Sequence, residues 1–191
     1  MRDLEYFSEE LKIIQNVGIR KLAESVLMCA PHGFWTDASS SSSRYHPPQS
    51  GGHRGLLRHV KSMGKFALKL CDVYSCTTLE TDAVVTAVLL HDIAKRGVNW
   101  GKHTLPNHDL EGLRFIKMVV GRCHLEDTPM LAEICSAVEW HYGKWSKRAV
   151  STQLKRFPEE YSKVMQIVHI ADVMSADRDV FRYSLEENLI G

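Results

Sequence analysis

Residues 82–94 read Asp-Ala-Val-Val-Thr-Ala-Val-Leu-Leu-His-Asp-Ile-Ala, and this stretch decides the fold class. It is apolar on nearly every side of a helical wheel, which predicts a buried central helix rather than an amphipathic surface one. His91 and Asp92 come at its end, where packing calls for apolar side chains. A carboxylate taken out of water is costly unless it is paired or holds a cation, so the stretch predicts a partner for Asp92.

Outward from this helix, apolar residues recur at helical spacing and strict alternation is nearly absent, so the expected fold is all-α. Leu4, Phe7, Leu11 and Ile14 form one stripe, interrupted at Asn16-Val17-Gly18, and Ile19, Leu22 and Val26 continue it until Pro31. Leu56, Leu57, Val60, Met63, Phe66, Ala67, Leu70 and Val73 trace a second core-facing helix. Further helical patterns run from His108 to Val120, Pro129 to Trp140, Pro158 to Met174 and Asp179 to Leu189. Neither an internal repeat nor a domain boundary is visible, and one domain over residues 1–191 is expected. Residues 36–55, with five consecutive serines, two prolines and three glycines, read as a loop, either a flexible spacer or an ordered substrate segment bearing Arg44, Tyr45 and His46.

Composition narrows the classes. The chain has 191 residues, 44% hydrophobic and 25% charged, which is ordinary for a soluble globular protein. Its longest apolar run falls far short of the ~20 residues that span a bilayer. The mixed charges of the N-terminus lack a secretory pattern, so a cytoplasmic location is expected. A net charge of +1 points to no nucleic-acid or membrane partner. Five cysteines without a C-x-x-C pair suit reduced structural thiols.

Other polar residues stand where packing predicts apolar ones. His59 shares a face with Leu56, Val60 and Met63, His141 ends an apolar helix, and Asp172 interrupts Ile170-Ala171-Asp172-Val173. One such residue is usually a hydrogen-bonded core group, but several helices each contributing one point to a shared ligand. Imidazole and carboxylate without thiolate suit Mn²⁺, Fe²⁺, Co²⁺, Ni²⁺ or Zn²⁺, with Mg²⁺ also within the expected set.

A His, a His-Asp pair and a distant Asp on a helical bundle resemble the HD-domain metal-dependent phosphohydrolases. His59, His91-Asp92 and Asp172 match that pattern one by one, and Lys95 matches the lysine three residues after the pair. The resemblance covers roughly Ser39 to Arg178 and implies a single-domain HD-type helical bundle. Ser-Arg-Tyr-His-Pro, Gly-Leu-Leu-Arg-His and Trp-His-Tyr-Gly-Lys-Trp are similar to a small branch that includes bacteriophage deoxyadenosine triphosphate triphosphohydrolases. A related Tyr-His loop also occurs in HD-type 3′-to-5′ exoribonucleases. His108 and His141 lie where the resemblance places ligands of a second ion, and contact with substrate phosphate is the alternative, so one or two divalent metals are expected.

The expected chemistry is attack on phosphorus by water that a divalent cation has acidified. Asp92 would orient or deprotonate that water as well as touch metal. Lys95 would face the phosphate, and His141 would either bind metal or protonate the leaving oxygen. Trp35, Arg44, Tyr45, His46, Lys144 and Arg178 are the expected substrate contacts. The leading expectation is a dATP-like deoxynucleoside triphosphate triphosphohydrolase that releases nucleoside and triphosphate. The alternatives are a nucleotide monophosphatase, a 3′-5′ exonuclease, which alone would take nucleic acid, and a non-catalytic nucleotide-binding module. Assembly into a homo-oligomer stays open.

Overall fold

The computed structural model describes residues 3–39, 47–143, 160–180 and 182, and they are helical with no strand among them. A 3₁₀ turn, Leu4–Phe7, leads into α1 (Ser8–Ile13), followed by α2 (Val17–Cys29) and α3 (His32–Thr36). The long α4 (Gly55–Val73) and central α5 (Thr78–Leu90) come next, then α6 (His108–Cys123), α7 (Leu131–Trp140) and α8 (Lys163–Ala176). The all-α reading is met.

Local chemistry sets these boundaries. The interruption expected at Asn16-Val17-Gly18 is a helix start at Val17, with Asn16 Oδ1 accepting the Ile19 N–H at 3.1 Å. Thr77 and Glu80 form a reciprocal capping box, so α5 begins four residues ahead of the expected Asp82. It also ends sooner than Ala94. From Leu90 onward the chain tightens into successive i to i−3 turns, such as Ile93 N–H to Leu90 O at 3.1 Å and Lys95 N–H to Asp92 O at 3.1 Å. Ser162 caps α8 through the Met165 N–H at 3.3 Å, so that the helix starts at Lys163, five residues after the expected Pro158.

α5 lies at the centre, packed against α2, α4, α7 and α8, and every side chain from Asp82 to Leu90 is buried. Each buried Val or Leu contributes roughly 1.5–3 kcal/mol, enough to make this helix the main anchor of the bundle. α8 covers α4 and α7, so the bundle brings the ends of α5 and α7 to one region with the second turn of α4 and the later half of α8.

Two buried groups belong to this scaffold. Asp82, unremarked in the sequence reading, accepts the Gln15 and Asn16 N–H groups at 3.0 and 2.8 Å, fastening the α1–α2 junction to α5. Trp35, expected to contact substrate, is instead a core residue. It is 1% exposed and lies 6.0 Å from the Phe7 ring and 5.2 Å from the Phe34 ring, so it presents no face to a ligand. No helix of the described residues is long and apolar enough to cross a membrane.

Candidate metal centre

Five elements deliver six polar side chains to one buried region. α4 supplies His59, the turn after α5 supplies His91 and Asp92, and the first residue of α6 is His108. His141 follows α7, and Asp172 sits within α8. The helix ends explain how two of the rings, His91 and His141, are aimed. A helix leaves its last carbonyls without partners, and a histidine just past the end satisfies one of them. His91 Nδ1 donates to the Val88 carbonyl at 2.8 Å and His141 Nδ1 to the Val138 carbonyl at 2.7 Å. His108 Nδ1 donates to the Leu105 carbonyl at 3.0 Å. Ser175 Oγ donates to the Asp172 carbonyl and lies 3.3 Å from His59 Nδ1, whose proton it accepts. All four rings therefore carry a proton on Nδ1 when neutral and turn an Nε2 lone pair inward.

What those lone pairs meet is decisive. His59 Nε2 lies 3.1 Å from Asp172 Oδ1, and His91 Nε2 lies 3.4 Å from Asp92 Oδ2 and 4.0 Å from Asp172 Oδ1. Asp92 Oδ1 lies 3.4 Å from His108 Nε2 and 3.8 Å from His141 Nε2. Acceptors thus face acceptors, and His91 Nε2 and Asp92 Oδ1 are buried without a hydrogen bond among the described residues. Such an arrangement is unfavourable unless a cation or a proton lies between the groups. It resolves into two sets, His59–His91–Asp172 and Asp92–His108–His141, each with ligand atoms within 4.8 Å of one another. These sets fit divalent cations.

The protonation states agree with that fit at three of the four rings, His91 being the exception. Burial pulls His59 and His108 below the ordinary imidazole range despite the nearby carboxylates. Burial, with His91 and His108 adding to it, lowers His141 to about 4. Burial also opposes the charged form of His91, but Asp92 and Asp172 outweigh it and raise that ring. Burial would raise both carboxyls. Lys95 and His91 instead hold Asp92 well below the usual range, and the His59 and His91 side chains do the same for Asp172. A neutral His141 protonated on Nδ1 offers Nε2 as a ligand atom, which weakens its expected alternative role as proton donor.

Lys95 also reaches the centre, its Nζ paired with Asp92 Oδ2 and its side chain 12% exposed. Arg178, expected at the substrate, is exposed in the helical residues that follow α8 after Asp177. Arg44, Tyr45, His46 and Lys144 lie outside the described residues. Two neighbours went unassigned in the sequence reading. The Tyr142 ring meets His108 edge-on at 4.7 Å. His169 Nδ1 donates to the His141 carbonyl at 2.7 Å, and its ring abuts Gly143, where a Cβ would come within 2.5 Å of ring Cε1. The only hint of His169 was its position one helical turn ahead of Asp172.

A family model described as the HD domain matches residues 56–177 of this chain, the span that holds all six ligand candidates. The chain belongs to the HD-domain family. That membership accords with the sequence resemblance, and the two ligand sets give this HD-domain chain residues able to hold divalent cations. Among curated proteins, a dihydroneopterin 2′,3′-cyclic phosphate phosphodiesterase of Methanocaldococcus jannaschii is 23% identical over 156 residues, covering 78% of this HD-domain chain. The chain spans 61% of that relative's length. No solved structure matches this chain.

Proposed function

We propose that this HD-domain chain hydrolyses a phosphoester of a nucleotide at a centre of two divalent cations. The observation that carries the reading is the apposition of histidine lone pairs and carboxylate oxygens in two adjacent three-ligand sets, with Asp92 turned towards both. His59, His91 and Asp172 would hold one ion, and Asp92, His108 and His141 the other. Bound there, such ions polarise a phosphoryl oxygen and acidify water for attack on phosphorus. Asp92 has one oxygen beside each set, a placement suited to keeping the two sites in register. Lys95 neutralises Asp92 and brings a cation to the rim, where charge grows on non-bridging phosphate oxygens. The Nδ1–H bonds fix ring orientation before any ligand arrives.

For the substrate, we propose a deoxynucleoside triphosphate, most like dATP, with nucleoside and triphosphate released. Water oxygen bonds to the α-phosphorus, the bond to the 5′-oxygen breaks, and that oxygen leaves with a proton. This choice rests on the sequence likeness around Arg44-Tyr45-His46 and around Trp140 to Trp145. A second reading, hydrolysis of a cyclic phosphodiester, is favoured by the activity named for the archaeal relative. Metal-free protein reloaded with Mn²⁺, Co²⁺, Fe²⁺, Ni²⁺, Zn²⁺ or Mg²⁺ should be assayed on deoxynucleoside triphosphates, nucleoside monophosphates, 2′,3′-cyclic nucleotides and short oligonucleotides. Products should be resolved by mass. Triphosphate supports the first substrate and a ring-opened monoester the second. Mononucleotides from oligonucleotides would make it an exonuclease, and no turnover with any ion would overturn phosphohydrolysis.

A further inference from the structure

Asp37 ends α3, is not among the ligands, and touches two of the elements that carry them. Its backbone carbonyl accepts the Leu56 N–H at 2.9 Å, three residues ahead of His59 in the first turn of α4. Its carboxylate Oδ2 accepts both Arg96 Nη1 at 2.7 Å and Trp100 Nε1 at 2.8 Å. Arg96 and Trp100 belong to the non-helical turns between Lys95 and His108. Within those turns the Gly101 N–H donates to the Arg96 carbonyl at 2.8 Å and the Leu105 N–H to the Lys95 carbonyl at 2.9 Å. The Leu105 carbonyl then accepts the His108 Nδ1–H. A chain of hydrogen bonds and short turns thus runs from Asp37 to the orientation of a ligand ring.

The conformation being held is one the turns would not choose unaided. Trp100 has φ 49, a left-handed backbone that a bulky residue avoids. Its indole is seated on Gly33, where any Cβ would lie 1.8 Å from Nε1, so only glycine leaves room for the ring. The Arg96 guanidinium, 5.9 Å from the same indole, closes the arrangement.

We infer that Asp37 is a positioning residue for the second ligand set: through Arg96 and Trp100 it holds residues 95–107 so that Asp92 and His108 meet His141. This rests on the two-cation reading above. The bond that steadies α4 uses the Asp37 backbone and survives side-chain substitution, so the first set should be untouched.

The test is a Co²⁺ titration of metal-free protein, followed by visible absorption and calorimetry, with thermal unfolding as a folding check. Wild type should bind two ions in distinguishable steps. Asp37→Ala should weaken one step by about ten- to a hundredfold, the usual cost of losing an outer partner of a metal ligand, and leave the other step unchanged. Asp37→Glu should recover part of the loss, and Trp100→Phe, which removes the indole donor and its ring but leaves Arg96 paired with Asp37, should cause a smaller shift of the same step. Asp37→Ala combined with Trp100→Phe should bind no more weakly than Asp37→Ala alone. If Asp37→Ala does not fold, Trp100→Phe decides the matter. Two unchanged steps in folded variants, or equal weakening of both, would overturn the inference. A single Co²⁺ step in wild type would instead overturn the two-cation reading.

Discussion

The two ligand sets are built differently. His59 and Asp172 project from the interiors of α4 and α8, two helices packed directly on each other, and His91 caps the most buried helix of the bundle. Asp92, His108 and His141 all lie at helix ends or in turns, and the segment joining the first two is not helical. The first set inherits its geometry from core packing. The second depends on how helices stop, and so on hydrogen bonds to terminal carbonyls and on the Asp37 contacts. A site on helix interiors holds its shape with few added contacts, whereas one on helix ends needs a supporting shell.

The largest effect is expected at the residue shared by both sets. Asp92→Asn keeps the volume but removes the charge, and turnover should fall by about 10²–10⁴-fold, with both cations held more weakly. Full activity without added metal in this variant would sink the proposed chemistry. Single-ligand variants sharpen the contrast. His59→Gln should weaken one Co²⁺ step and His108→Gln the other, each by more than the roughly 10–100-fold of an outer-shell loss. Loss of both steps in either variant would make the two sets one cooperative site.

Buried carboxylates away from the centre should behave otherwise. Asp82→Ala leaves the Gln15 and Asn16 N–H groups unsatisfied and should cost about 1–3 kcal/mol in chemical denaturation with Co²⁺ binding unchanged. The smallest effect concerns the rigidity of α4. Cys71 lies on its inner side, and burial, with Cys76 beside it, raises the thiol from 9.0 to about 12. At mildly alkaline pH it should alkylate far more slowly than the exposed Cys29 and Cys123, as read by mass spectrometry. Between 9.0 and about 12 the unfolded chain releases a proton that the folded chain keeps, so stability should decline as pH rises through that window. Equal labelling of all three would show that α4 opens readily and that the first set lacks its rigid base.

Helical period and misplaced polarity were enough to read the all-α class, the buried α5 and the convergence of His59, His91, Asp92 and Asp172, because a buried charge announces itself wherever its neighbours are apolar. Lys95 was legible for a similar local reason, its spacing from the His-Asp pair. His141 stood out on the same ground, and the resemblance placed it with His108 at a second ion, but the division of the ligands into two sets around Asp92 was not legible, since it depends on where α5 and α7 end, where α6 begins and which carbonyl each ring then meets. Pattern alone placed the end of α5 at Ala94, and tightened turns set it at Leu90. The same reason hid the roles of Asp82 and Asp37. Residue type shows that a carboxylate or an indole needs a partner, but the partners are tens of residues away, and only the packed chain chooses between protein, cation and solvent.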